Sequence, residues 1–394
     1  MQDSDLSFLF RCYYNILAVM KDLGSLKWLL LVLILLHFAV GLFIPPLVTS
    51  DFDRNLYYGK AFWKHGFSVY DMTPLEIEGE EGPSYDVRDP LTREYSYPNT
   101  TYDYPTLQLL FWAGLSPLPF SSIITKWLLS CVDILNFFLI YSLTANWKKE
   151  EKEPTLFKNG FTLSYLLFSI PFSAIEGQPT AITILFLLLP LSLHSQSQIC
   201  GYLSIGLGFH WKYVSVLVLP YLLILDRDAI KQALWGLLTV IISIVLLSFP
   251  ILFSNFILLY FRSFGNLGVY SGQLPSNPLF LFYPSISSFL SLGVLILAFL
   301  YWIGILPRED FVEISIDGTI ERVYWLPLLF LLVFLKIYAT AFPWYWLWFF
   351  PCLIILPQKD QRLFTFLLGC TFAIGLIDFI QMTVGLSTFI GFFF

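Results

Sequence analysis

Apolar runs of about 20 residues recur along this chain, and they constrain its fold more than any other feature. A helical run of that length crosses a bilayer core of about 30 Å. Hydrophobic residues make up 57% of the 394 residues and charged residues 13%, whereas soluble domains carry roughly 25% charge. A β-barrel would show alternating segments of about ten residues. The sequence therefore predicts an all-α, polytopic membrane protein with about nine to twelve spans.

The charge and cysteine content exclude several classes of function. The net charge is −6, which argues against a nucleic-acid partner because such proteins carry a basic stripe. Five scattered cysteines show no CxxC pair and no disulfide framework, so they say little about the redox compartment.

Two units are expected along the chain. Residues 1–25 mix apolar and charged side chains, as does an interfacial amphipathic helix. Residues 26–394 form a single transmembrane domain in this interpretation. Its first span covers residues 26–48, which is too long for the apolar part of a signal peptide.

A polar loop follows the first span and covers residues 51–104. The next apolar stretch, 105–118, suits a re-entrant or interfacial helix because it is shorter than the roughly 20 residues of a full span. Residues 121–145 form a span, and a short loop with four lysines follows at Lys148, Lys149, Lys152 and Lys158. The positive-inside rule assigns that loop to the cytoplasm. The loop at 49–120 is then extracytoplasmic.

Further spans are predicted at 161–175, 180–194, 230–253, 284–306, 324–341, 344–355 and 363–394. Residues 202–225 are ambiguous: they form either one kinked span or a re-entrant pair around His210, Trp211 and Lys212.

Ionisable groups within these apolar stretches are few, and each is a functional hypothesis by default. They are Asp133, Glu176, His210, Lys212, Lys336 and Asp378. An aromatic-flanked lysine beside a histidine can hold a lipid phosphate, or the lysine can extend to the interface. Asp133 suits a hydrogen bond between helices. Glu176 and Gln178, in a tight outer turn, suit either a sugar contact or helix capping.

Asp51 and Asp53, at the first membrane exit, suggest sugar chemistry. Glycosyl transfer needs a carboxylate to take the proton of the attacking hydroxyl. It also needs a stabilised leaving group, such as a phosphate held by cationic side chains. A D-x-D pattern alone has low specificity, and the ordinary alternative is a solvated polar loop.

Several short elements, in order, resemble the GT-C glycosyltransferases. The nearest are a prokaryotic family of mannosyl- and arabinosyltransferases and the first mannosyltransferase of GPI-anchor synthesis. The elements are Ser50–Asp53 with Tyr57 and Tyr58, then Gly66 and Tyr70, Tyr104–Leu107, Gly177–Gln178, Gly201 with Lys212 and Pro220, Asn277–Leu279, and Phe342–Tyr345. Thr106 departs from the pattern, because the family usually carries a second proline there.

The resemblance implies an inverting transferase that takes a sugar, mannose above others, from a polyprenyl- or dolichyl-phosphate donor. It assigns Asp53 or Asp51 as general base and Lys212, with His210, as the holder of the donor phosphate. Residues near the sugars and the acceptor would be Tyr57, Gln178, Glu176, Tyr104 and Asn277.

The resemblance also implies that the extracytoplasmic loop carries juxtamembrane helices, around 55–65 and 105–116, which would form a lid over the donor groove. It further implies the surroundings of such an enzyme. Its partners would be the lipid donor, a glycan or glycolipid acceptor and membrane lipid. Such donor sites usually need no nucleotide, and the use of a divalent cation, Mn or Mg, varies across the class. The plasma membrane of a prokaryote fits better than the endoplasmic reticulum.

Two other functions are compatible with parts of the sequence. A transporter or flippase of lipid-linked sugars would show internally repeated helices with charges midway along them, and no such symmetry is visible. A structural subunit of a membrane complex would tolerate replacement of both Asp51 and Asp53.

Overall fold

The computed structural model describes residues 19–43, 50–81, 101–102, 104–144, 154–226 and 229–249, together with residues 347, 348, 350, 351 and 354. Regular structure within this part of the chain is helical, and it contains no strand. Asn277 and the spans predicted between residues 284 and 341 and from 363 onward lie outside the described residues, as do residues 1–18 of the predicted interfacial segment.

Ten α-helices occupy the described residues. They are α1 Lys27–Phe43, α2 Ser50–His65, α3 Pro74–Glu81, α4 Thr106–Leu115, α5 Ser121–Leu143, α6 Pro154–Ser169, α7 Thr180–His194, α8 Gln198–Phe209, α9 Leu219–Leu225 and α10 Ile230–Ser248. Short 3₁₀ turns cover Gly24–Leu26, Gly66–Asp71 and Tyr213–Val218, and a π-helical turn covers Ile170–Ile175.

Three helical segments in this part of the chain are long and apolar enough to cross a membrane. They are Gly24–Phe43, Ser121–Leu143 and Ile230–Ser248. The last two fall within the spans predicted at 121–145 and 230–253, whereas the first begins at residue 24, just before the span predicted at 26–48. Helix α7 begins and ends where the apolar pattern placed it, but it has 15 residues. The largest apolar cluster gathers buried side chains from α1 and from α5 through α8.

Helices α1 and α5 pack antiparallel, which fixes the two ends of the bundle. Near the start of α5, the Trp127 indole donates to the Phe38 carbonyl at 3.2 Å. Near its end, the Tyr141 hydroxyl donates to the Asp22 carboxylate, just before α1. The segment 44–120 therefore leaves and re-enters the bundle at the same end, which we call the α2 end.

The predicted loop from Asp51 contains the helices Ser50–His65 and Pro74–Glu81, and the first of them covers the juxtamembrane helix expected around 55–65. Phe52 and Leu56 are buried and lie four residues apart, on one face of the helix. The Thr73 N–H and hydroxyl both donate to the Glu76 carboxylate, at 2.7 and 2.9 Å, and this capping box begins α3. Both hydrogen bonds lower the pKa of the Glu76 carboxyl group, and the one from the Thr73 backbone N–H has the larger effect.

Helix α4 packs across α2 at a glycine. A Cβ added to Gly59 would lie 2.5 Å from the carbonyl oxygen of Trp112, so only glycine allows this approach. The Trp63 indole also donates to the Ala113 carbonyl at 2.8 Å. With ten residues, α4 is about 15 Å long, about half of a bilayer core.

Residues 198–226 form a helical hairpin, which resolves the ambiguity over 202–225 in favour of a pair. Helix α8 runs toward the α2 end, and the chain then returns through α9 to Asp226. The Asp226 carboxylate accepts from Gln198 at 2.9 Å and from Tyr202 at 2.8 Å, so the two feet of the hairpin meet. Residues 210–212 form its apex.

Candidate functional site

The first turn of α2 carries the predicted acids. Asp53 is half-buried, and its neighbour Phe52 is buried. The backbone of Asp51 is helical, and its side chain lies outside the described residues. Carboxylates in a first turn also stabilise the helix through its dipole, so part of their effect is structural.

The turn at Glu176 and Gln178 lies directly against this first turn of α2. Gly177 adopts φ +68°, and a Cβ there would lie 2.7 Å from the Phe52 ring. Glu176 and Gln178 are 2% and 5% exposed, and the Gln178 N–H donates to the Phe172 carbonyl at 2.8 Å. The structure thus brings together the predicted elements at Asp53 and Gly177, which are 124 positions apart in the sequence.

Lys126, on α5, is a buried cation that sequence reasoning missed. It is 1% exposed, and its Cγ lies 3.7 Å from the position that a Gly177 Cβ would take. A lysine near the start of a span resembles an interfacial residue, which explains why it was overlooked. Its position on the same helix face as Ser130 and Asp133 is the signal that could have identified it.

The apex of the hairpin brings Lys212 to the α2 end. Its Nζ lies 5.7 Å from the centre of the Tyr104 ring and 4.9 Å from that of the Trp348 ring, both within cation–π range. The Leu107 N–H donates to the His210 carbonyl at 3.0 Å. The start of α4 is therefore tied to the apex, and the predicted residues Tyr104 and Lys212 are neighbours.

His210 does not join Lys212 through its side chain, which corrects the predicted phosphate-binding pair. The ring is 1% exposed, and its Nε2 lies 2.9 Å from the Ile244 carbonyl on α10. A carbonyl only accepts, so Nε2 donates there and the ring fastens the apex to α10.

Tyr57 also has a different role from the predicted sugar contact. Its side chain is 3% exposed within an aromatic cluster that includes Tyr58 and Tyr102. Its hydroxyl donates to the Pro74 carbonyl at 3.2 Å. Tyr57 thereby joins α2 to the start of α3.

A row of aromatic rings crosses α4 between the acids and the apex. The Phe52 and Trp112 ring centres are 5.4 Å apart, those of Trp112 and Phe111 5.3 Å, and those of Phe111 and Trp211 5.1 Å. All three contacts are edge-to-face, a favourable arrangement. The Asp53 turn and the Lys212 apex therefore lie on two sides of one short helix.

Three buried polar groups at the α2–α4 contact have no hydrogen-bond partner among the described residues. They are Asn55 Oδ1, both amide atoms of Gln108, and Trp112 Nε1, on side chains that are at most 1% exposed. Asn55 lies between Phe52 and Gly59, which both contact Trp112, and Gln108 lies one turn before Trp112. Leaving such a group unpaired costs about 1–3 kcal/mol, so natural proteins rarely keep one without a purpose.

A metal centre receives no support from the described ranges. They contain no group of three or more His, Cys, Asp or Glu side chains that could hold an ion. The option of Mn or Mg stays a prediction from the resemblance, and so does the role of Asn277, which is outside these ranges.

The chain was compared with protein-family models, with curated proteins and with solved structures, and none of the three comparisons found a match.

Proposed function

We propose that this chain is a polytopic membrane glycosyltransferase of the GT-C type. Its donor is a polyprenyl- or dolichyl-phosphate sugar, with mannose as the sugar, and its acceptor is a lipid-linked or protein-linked glycan. One observation carries the proposal: the acid-bearing turn of α2, the turn at Gly177 and the Lys212 apex converge around α4.

The proposed reaction is a single displacement at the anomeric carbon. The acceptor hydroxyl oxygen forms a bond to that carbon while the bond to the phosphate oxygen breaks on the opposite face. Asp53 takes the hydroxyl proton, and the polyprenyl phosphate leaves with the electron pair of the broken bond. The configuration at the anomeric carbon is therefore inverted. Positioned general-base catalysis contributes roughly 10²–10⁴-fold to such a step.

Lys212 is assigned to the donor phosphate in this proposal. Its ammonium lies between the Tyr104 and Trp348 rings, and this setting excludes water from one side of the cation. A partly dry cation stabilises the charge that develops on a leaving phosphate more strongly than a solvated one does. The His210 ring faces α10, so His210 is not assigned to the phosphate.

The membrane orientation in this proposal follows from the lysines. Three of them, at 148, 149 and 152, lie between the end of α5 and the start of α6, which is the end opposite α2. Because cytoplasmic loops carry excess lysine, the α2 end is extracytoplasmic. The proposed setting is the plasma membrane of a prokaryote.

The test is transfer from a radiolabelled polyprenyl-phosphate sugar by the purified full-length protein, across a panel of sugars. Asp53→Asn should lower the rate by roughly 10² or more, because the base is lost. Asp71→Asn is the matched control, since Asp71 is an exposed carboxylate in the same segment. Full activity in both Asp53→Asn and Asp51→Asn would overturn the proposal.

A further inference from the structure

The side chain and the backbone of His210 bond to two different helices. Its ring Nε2 donates to the Ile244 carbonyl of α10 at 2.9 Å, and its own carbonyl accepts from the Leu107 N–H of α4 at 3.0 Å. That N–H belongs to the first turn of α4, where backbone donors lack partners within the helix, and the N-cap residue Pro105 supplies no side-chain acceptor. One residue at the hairpin apex therefore connects α10 with the start of α4.

Helix α10 gives this connection a firm support. It is one of the three segments in the described part of the chain that are long enough to span a membrane. It also packs closely along α8, because a Cβ on Gly236 would lie 2.2 Å from the Tyr202 ring, and a Cβ on Gly206 would lie 1.7 Å from the Ser243 hydroxyl oxygen. The bond from the His210 ring extends this contact to the apex, so α10 sets the position of the apex along the bundle.

Lys212 and its aromatic neighbour are both tied to His210. Lys212 follows two residues later, and its N–H donates to the Gly208 carbonyl at 2.8 Å, which closes the turn at the apex. The Tyr104 ring, whose centre lies 5.7 Å from the Lys212 Nζ, comes just before α4, and the Leu107 bond holds the start of that helix. Displacing His210 would therefore move the cation and the ring that flanks it.

We propose that His210 is a positioning residue for Lys212, holding the ammonium group and the Tyr104 ring in one place against α10. The inference rests on the proposed function, since Lys212 binds the donor phosphate in both. His210 itself touches neither the phosphate nor the sugar. A misplacement of about 1 Å in a group that orients a substrate lowers the rate by roughly 10²-fold, so a side chain that acts only through Lys212 still has a large effect.

Filling space does not account for a histidine at this position. Ile244 lies inside α10, where its carbonyl accepts from the backbone four residues later, so that carbonyl does not depend on the ring. With the hydrogen on Nε2, the buried Nδ1 is an acceptor without a partner among the described residues, which opposes folding. A leucine of similar size would leave neither group unpaired. His210→Leu should therefore fold, with little change in Tm.

The test is a double-mutant cycle on the purified full-length protein, with radiolabelled polyprenyl-phosphate mannose as the donor. His210→Leu should lower kcat/KM roughly tenfold or more, and it should have no further effect in the Lys212→Ala background, because it acts through that ammonium group. His210→Gln should recover most of the activity, since its amide can still donate to the Ile244 carbonyl. Thr239→Ala is the control on α10, because the Thr239 hydroxyl bonds to the Trp235 carbonyl of the same helix.

Hydrogen exchange at the Leu107 amide measures the same connection without a sugar donor. Exchange should be faster in His210→Leu than in the wild type, because the start of α4 loses its fixed acceptor, and His210→Gln should restore the slow rate. This measurement carries the test if Lys212→Ala is inactive. Unchanged exchange in His210→Leu overturns the proposal.

Three kinetic outcomes also overturn it. They are an unchanged kcat/KM in His210→Leu, an equal loss with and without Lys212, which identifies a general structural role, and a glutamine variant as impaired as the leucine variant. All three leave the proposed function in place. Absence of transfer by the wild type is a failure of the proposed function itself, and it removes this role of His210 as well.

Discussion

The two ends of the hairpin at 198–226 differ in whether the polar groups buried there have hydrogen-bond partners. At its feet, both oxygens of the Asp226 carboxylate accept hydrogen bonds, from His194 at 3.1 Å, from Gln198 and from Tyr202. Near its apex, on α2 and α4, the amides of Asn55 and Gln108 retain unpaired atoms. Asp226 is 3% exposed, and Asn55 and Gln108 are each 1% exposed, so greater exposure to water does not explain the unpaired amides.

The difference separates polar groups that stabilise the fold from polar groups that are available to a ligand. A carboxylate with every oxygen paired stabilises helix packing and leaves nothing for a ligand. An unpaired buried amide costs stability without serving the packing. Exceptions to local satisfaction tend to mark functional sites. The α2 end therefore fits a site, and the feet of the hairpin fit a structural clasp.

Asp226→Ala gives the largest expected loss of stability. It leaves the buried Tyr202 hydroxyl and the half-buried His194 and Gln198 side chains without their common acceptor. The loss should be roughly 3 kcal/mol or more, because each hydrogen bond to a charged group contributes about 1.5–3 kcal/mol. The measurement is denaturant unfolding in detergent, with exposed Asp71→Ala as the control. A cost below that of the control would show that the clasp does not stabilise the fold.

Gly177→Ala tests the contact between the turn at 176–178 and α2. Gly177 and Gly66 have φ values of +68° and +60°, but only a Cβ at 177 meets another side chain, Phe52. Gly66→Ala should cost about 1 kcal/mol for backbone strain alone. Gly177→Ala should add about 1–3 kcal/mol of overpacking and displace the Asp53 turn, so transfer activity should fall too. Equal stability losses in the two variants would mean that the contact with Phe52 carries no energy.

The sequence predicted the features that depend on local hydropathy. The bounds of α7 and the start of α5 follow from where apolar residues begin, and the turn at 176–179 follows from its glycine and proline. Local hydropathy does not show the helical character of α2, because charged residues interrupt its apolar positions, of which Phe52 and Leu56 share one buried face. The helix expected around 55–65 came from the family resemblance alone.

What the sequence could not provide depends on distant partners. Gln108 reads as an ordinary polar residue until α2 and α4 enclose it and leave its amide unpaired. From the sequence alone, Lys126 resembles an interfacial lysine. Only the structure shows that Gly41 and Gly177 pack beside it. From the sequence alone, the His210 ring is expected beside Lys212. Only the position of α10 shows that the ring bonds to the Ile244 carbonyl instead.

Gln108→Leu should have the smallest effect on stability and separates the two ends most directly. Leucine has a similar shape and no unpaired polar atom, so the free energy of unfolding should be unchanged or rise by about 1 kcal/mol. Sugar transfer should nevertheless fall, because a carboxamide both donates to and accepts from sugar hydroxyls. Gln196→Leu, at an exposed position, should alter neither quantity. A clear loss of stability in Gln108→Leu would instead place Gln108 with Asp226, as a side chain whose polar atoms hold the fold.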